Sequence, residues 1–151
     1  VPVGRPKHFL DALAGKSGFP DPDAVILCGH GDGGAFLMPP LAEEIYEPDE
    51  PRGPLGPDEL RGRIALRDKI IVSTGCDTGY EETAAVFAEA GNLYAAPVDS
   101  PEATAAYFWT VRFFYGLLCG GMDPVSAAEA ASSTDAECAV FRVRDGRMTQ
   151  K

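Results

Sequence analysis

The chain has 151 residues, 45% of them hydrophobic, with 13 basic and 23 acidic side chains and a formal net charge of −10. That length fits one domain with a core of its own. The acid excess argues against a nucleic-acid surface, which needs Lys and Arg to neutralise phosphates, and disfavours docking on anionic membranes; no apolar run is long enough to span a bilayer.

In chain order, 6–14 reads as a short helix with Phe9, Leu10 and Leu13 on one face. Residues 16–23 are rich in Gly, Pro, Ser and Asp and read as a turn. Residues 24–29 are nearly all apolar, the pattern of a parallel strand covered on both faces. The glycines of His30-Gly31-Asp32-Gly33-Gly34 then break the chain and let a ligand approach the backbone. A short strand, 35–38, ends at Pro39-Pro40. The acidic, proline-rich stretch 42–58 reads as a long surface loop of the kind that can be mobile. Pro57-Asp58-Glu59-Leu60 opens a short helix with acids in its first turn.

The strand 69–74 runs into the small-residue turn Gly75-Cys76-Asp77-Thr78-Gly79. A helix over 81–90 ends at Gly91, placed as its C-cap. A strand over 92–96 reaches the turn Pro97-Val98-Asp99-Ser100-Pro101. The longest helix, 102–118, carries Tyr107, Phe108, Trp109, Phe113, Phe114 and Tyr115, which at helical spacing read mostly as core. Pro124 to Ala131 is a further helix with Asp123 as N-cap and Pro124 at its first position. Residues 138–143 close as a strand at a sheet edge, Asp145-Gly146 is a turn, and the last residues fray. Strands alternating with helices predict a single domain over 1–151 with a three-layer α/β/α sandwich around a mostly parallel sheet.

Four cysteines, Cys28, Cys76, Cys119 and Cys138, occur without a CxxC pair, and the given sequence reads as carrying no secretory leader unless one has been removed. A chain this long needs no disulfide staples, so the reading is a reduced, cytoplasmic protein. The start at Val1 rather than Met suggests a processed chain or a fragment of something longer.

Chemistry concentrates at two strand ends. Cys76 at a strand-to-helix turn is placed as a nucleophile whose thiolate a helix N-terminus would favour. His30, ending another strand, is its general base and later its general acid. The backbone N–H groups of Gly31 and Cys76 are candidates for an oxyanion hole. Set against this, a free cysteine is most often a small buried hydrophobe, a reading that fits Cys28, Cys119 and Cys138 better. A Cys28-His30-Cys76 zinc site is conceivable but matches no usual zinc spacing. The glycine loop lacks the GxGxxG spacing of a nucleotide fold.

Gly29-His30-Gly31 after one strand and Ser73-Thr74-Gly75-Cys76-Asp77-Thr78-Gly79 after another resemble the caspase-like cysteine peptidases (clan CD). The nearest likeness is the CHAT domain branch, related to caspases and separase. Asp58-Glu59-Leu60, Pro97-Val98-Asp99 with Ala103-Thr104, Phe114-Tyr115-Gly116 and the helix 124–131 fall in the order that branch uses, so the likeness covers about 24–131. The resemblance implies His30 and Cys76 as a catalytic dyad, Gly31 and Cys76 as oxyanion donors, and a homodimer or a larger multidomain context. It implies a protein or peptide substrate and no cofactor. Asp32, Asp77 and Asp99, all at strand ends, would favour a basic residue before the cut. The alternatives are a catalytically silent caspase-like scaffold, and an acyl hydrolase or phosphate binder using the glycine loop.

Overall fold

In a computed structural model, residues 3–16 and 21–147 are described; the expected turn residues 17–20 and the expected frayed ends at 148–151 lie outside them. The helices are α1 (Pro6–Leu13), α2 (Pro57–Leu60), α3 (Glu81–Glu89), α4 (Ala103–Leu118) and α5 (Pro124–Ser132). The strands are β1 (Ala24–Leu27), β2 (His30–Asp32), β3 (Ala35–Leu37), β4 (Ile70–Ser73), β5 (Leu93–Pro97) and β6 (Phe141–Asp145). The fold is mixed α/β around a four-stranded, mostly parallel sheet. Its order is β1-β4-β5-β6, with β1, β4 and β5 parallel and β6 antiparallel to β5. Three parallel strands therefore deliver their carboxyl ends to the same rim of the sheet, where α/β proteins place ligands.

Local chemistry explains most boundaries. Asp123 caps α5, its carboxylate accepting from the N–H groups of Val125 and Ser126 at 3.0 and 3.2 Å, with Pro124 opening the helix. Gly91, at φ 82°, follows α3 in the left-handed conformation expected of it. Residues 138–140 form a 3-10 turn instead of the start of a strand, so β6 begins only at Phe141. It does lie at an edge of the sheet.

Alternate strand residues feed two hydrophobic clusters, as the two-residue period of a strand requires. Ile71, Tyr94 and Ala96 join Leu13 of α1, Leu60 of α2 and Phe87 of α3. Val72, Leu93 and Ala95 join Trp109 and Phe113 of α4 and Ala127 and Ala131 of α5. β4 and β5 are buried on both sides, as their unbroken apolar runs imply. β1 is not. It is the other edge strand, and Ile26 is 45% exposed, so apolar sequence there did not mean a covered strand.

The acidic stretch 42–58 is tied down. Arg5, just before α1, donates to the Glu50 carboxylate and to the carbonyl of Ile45 at 2.9 Å. The same carboxylate accepts from the backbone N–H groups of Lys7 at 2.8 Å and Glu47 at 3.1 Å. The Glu50 side chain is fully buried. The Arg5 hydrogen bond, with help from these amides, holds its carboxyl well below the usual range, to about 2. Further along, Leu55 exchanges backbone hydrogen bonds with Phe36 of β3.

Candidate active site

The site is built from three loops at the carboxyl ends of β1, β4 and β5. After Leu27 the chain runs through Cys28 and Gly29 and enters the β2–β3 hairpin at His30. The stretch 30–34, expected as an open break, is mostly strand. Only Gly33 and Gly34 form the turn, at φ 54° and 85°, the pair of positive angles a tight two-residue hairpin demands. The tip is pinned by the Thr83 hydroxyl, which donates to the carbonyl of Gly34.

The hairpin lies directly on the Cys76 turn. A Cβ at Gly31 would sit 2.3 Å from the Cys76 carbonyl oxygen and 2.5 Å from Cγ2 of Thr78. A Cβ at Gly75 would lie 3.3 Å from the Gly31 nitrogen and from the His30 carbonyl carbon. Only glycine backbones approach this closely. Gly29 has nothing within 4 Å of such an atom, so of the two glycines flanking His30 only Gly31 is sterically required. The strand register produces the approach, because Leu27 pairs with Ser73 and the Thr74 N–H donates to the Leu27 carbonyl at 3.0 Å.

The hairpin also aims a donor. Phe36 exchanges both its backbone hydrogen bonds with Leu55. Gly31, opposite Phe36, therefore occupies a non-hydrogen-bonded position and turns its N–H away from β3. The Cys76 N–H meets no acceptor among the described residues. These are the two groups expected as oxyanion donors.

A buried polar network holds the Cys76 turn. The Thr78 hydroxyl donates to the Gly75 carbonyl at 2.7 Å and lies 2.8 Å from the Ser73 hydroxyl, which accepts from the Gly75 N–H at 3.2 Å. Tyr94 donates its hydroxyl to the Thr78 carbonyl at 3.0 Å. Burial pushes the Tyr94 phenol far above its ordinary value, so it stays a donor. Gly79 closes the turn against β5, its N–H donating to the Pro97 carbonyl at 2.8 Å. A Cβ there would meet the Ala96 carbonyl oxygen at 2.5 Å. Ser73, Thr78 and Tyr94 were not singled out as positioning residues from the sequence. Their hydroxyls converge only once β4, the turn and β5 are packed together.

Asp77 joins all three loops. Its carboxylate accepts from the Gly33 N–H at 3.4 Å, and its own N–H donates to the Asp99 carbonyl at 3.3 Å. It adopts φ 59°, a left-handed conformation that Asp tolerates better than most residues. Asp99 turns its carboxylate back onto the Ser100 N–H at 2.8 Å. Asp32 is exposed at the end of β2, one residue before the Asp77 hydrogen bond. His30, Gly31, Asp32, Cys76, Asp77 and Asp99 therefore all sit on these joined loops.

The surroundings of these groups complete the site. The His30 side of the site is exposed and Cys76 half-buried, and the imidazole and thiol form no hydrogen bond with each other. The helix after Cys76 begins at Glu81, as the sequence sets it, with the turn 74–80 between, and its first turn carries Glu81 and Glu82. Of the cysteines read as buried, only Cys138 is: burial first, then Asp135, pushes its thiol up to about 11, while Cys28 and Cys119 are exposed. All four are free.

Among the described residues, no three His, Cys, Asp or Glu side chains are grouped to hold a metal ion, and no helix is long and apolar enough to cross a membrane. Family models, curated proteins and solved structures yield no match to this chain.

Proposed function

We propose that this chain is a cysteine endopeptidase of the caspase-like type, built as a three-layer α/β/α sandwich, with His30 and Cys76 as its dyad. The observation that carries the reading is the glycine-only contact between the His30-Gly31 and Gly75-Cys76 backbones at the carboxyl ends of neighbouring parallel strands. This contact brings the backbones that carry His30 and Cys76 together at one rim of the sheet, which supports pairing the two side chains as base and nucleophile.

The chemistry follows from these groups. His30 accepts the Cys76 thiol proton, and the thiolate attacks the peptide carbonyl carbon. The carbonyl electrons move onto oxygen, where the N–H groups of Gly31 and Cys76 donate to them. The C–N bond breaks as the imidazolium returns its proton to the leaving amine, leaving a thioester. Water, deprotonated by His30, hydrolyses the thioester and restores the thiol. No cofactor takes part in these steps. The substrate is a protein or peptide, and Asp32, Asp77 and Asp99 on the surrounding loops favour a basic residue before the cut. Free thiols fit a reduced, cytoplasmic setting. A homodimer and a larger multidomain context are both compatible with this site.

The test incubates wild type and Cys76→Ala with a mixed peptide library and reads the products by mass spectrometry. Cleavage by wild type alone, after Lys or Arg, is the expected result. Cleavage after Asp would overturn the basic preference, and equal products from both proteins would remove Cys76 from the mechanism.

A second reading, a catalytically silent scaffold with this fold, is favoured by the missing hydrogen bond between His30 and Cys76. Catalytic hydrogen bonds often tighten only with substrate bound, which keeps the protease reading first. Silence of wild type toward the library, with a Cys76 no more reactive than Cys28 and Cys119, selects the scaffold.

A further inference from the structure

We propose that the outer face of α4 is the docking surface for a second copy of this chain. The inner face of the helix buries Ala105, Ala106, Trp109, Phe113 and Gly116, as an amphipathic helix should. The outer face should then be polar, and it is not. Tyr107, Phe108, Val111, Tyr115 and Leu118 are 68, 55, 49, 67 and 81% exposed. At about 3.6 residues per turn these five share an arc of roughly 100° over about 16 Å of helix. The helix is therefore apolar on two faces. Its one charged residue, Arg112, lies outside this arc and is turned toward α5, where it donates to the Ala130 carbonyl at 3.3 Å. The aromatic residues counted as core from their spacing thus divide: Trp109 and Phe113 are buried, Phe114 is half-buried, and Tyr107, Phe108 and Tyr115 face outward.

Area and charge identify the occupant. Aromatic side chains of about 150–250 Å² at these exposures show roughly 400 Å² from Tyr107, Phe108 and Tyr115 alone. Val111 and Leu118 add to it. A homodimer interface of standard size needs about 800 Å² per partner, some 65% of it apolar, or roughly 500 Å². One face of α4 supplies that amount. A chain of net charge −10 repels its own copies wherever acids face each other. The outer face of α4 carries no acid, so two copies meet there with the least repulsion. The outer strand β6 is less suited, since Arg142, Arg144 and Asp145 place charges along it. Across a two-fold axis the same stripe meets itself. The row Tyr107, Val111, Tyr115 is an i, i+4 ridge, which two helices interdigitate at about −50°.

Sedimentation velocity on the full chain at micromolar concentration tests this. Wild type should sediment as a dimer, twice the 16.0 kDa chain. Tyr107→Glu combined with Leu118→Glu should raise the dissociation constant at least about 30-fold, the loss of one interface hot spot. Ile45→Glu, at an exposed apolar residue remote in the chain, should not change it. If the glutamate variant loses helical circular dichroism, Tyr107→Gln with Leu118→Gln takes its place. A wild type that sediments as a single chain overturns the proposal, as does a dimer that survives the α4 substitutions.

Discussion

Gly31 shows how one missing side chain can shape a site. A Cβ there would fall 2.3 Å from a backbone carbonyl that cannot rotate away. Gly31→Ala must therefore push the hairpin off the Cys76 turn, at about 1–3 kcal/mol, the usual range for overpacking a tight contact. Gly29→Ala, two residues earlier and facing open space, should stay within about 0.5 kcal/mol of wild type. Denaturant titration of the two variants checks the contrast; equal losses would mean that the close approach of the two loops does not govern stability here. A Gly-His-Gly string carries no record of which glycine meets a neighbour through its missing side chain. The same blindness holds for the cysteines. Cys28 and Cys138 read as equivalent small hydrophobes, yet one ends on the exposed rim and the other beneath α4, where its thiol donates to the Ala105 carbonyl at 3.7 Å.

At the scale of elements, the Glu50 strap decides whether the long acidic stretch moves freely. Glu50 gathers two backbone amides and Arg5, which fastens the stretch to α1; Glu47 adds a contact to Arg5 at 3.6 Å and one to Lys7 at 3.7 Å. Its carboxyl lies at about 2, below an ordinary value of 4.5. A carboxyl lowered on folding stabilises the fold fully above the ordinary value, and that contribution fades as pH falls from about 4.5 toward 2. Glu50→Gln should be less stable than wild type near neutrality, and the gap should close across this acid window. Urea midpoints measured against pH check the prediction, and a gap independent of pH would mean that the ionised carboxylate is not what holds the strap. Elements whose signals are local were legible in advance: Asp123-Pro124 at the start of α5, Gly91 after α3, and the apolar runs of β4 and β5. The strap was not, since an Arg and a Glu 45 residues apart leave no local trace.

For the whole molecule, the sheet makes the two clusters one cooperative body. Ile71 and Val72 are neighbours in β4, yet each belongs to a different cluster, and Tyr94 and Ala95 divide β5 in the same way. Loss of packing on either side therefore uncovers a face of the same two strands. Trp109, the chain's only tryptophan, stacks on Phe141 at 4.4 Å on one side; Phe87 stacks on Tyr94 at 4.2 Å on the other. Guanidinium unfolding followed by Trp109 fluorescence and by tyrosine near-ultraviolet dichroism should give one midpoint. Separate midpoints would show that the two sides fold as independent units.

The sequence by itself determined most of the elements and their order, though not the strand at 30–32 or the 3-10 turn at 138–140. It set strands over 24–29, 69–74 and 92–96, helices between and after them, and a histidine and a cysteine just past two strand ends. These follow from periodicity, capping and turn chemistry, which act over a few residues and so are written locally. Only the tertiary structure decided that β1 is an edge, that of the two glycines flanking His30 only Gly31 must lack a side chain, that Thr78 and Tyr94 brace the Cys76 turn, and that α4 turns three aromatics outward. Each of these depends on which surfaces meet. Strand order and helix docking set those meetings, and burying an apolar residue against the sheet or leaving it for a partner requires the same residue type.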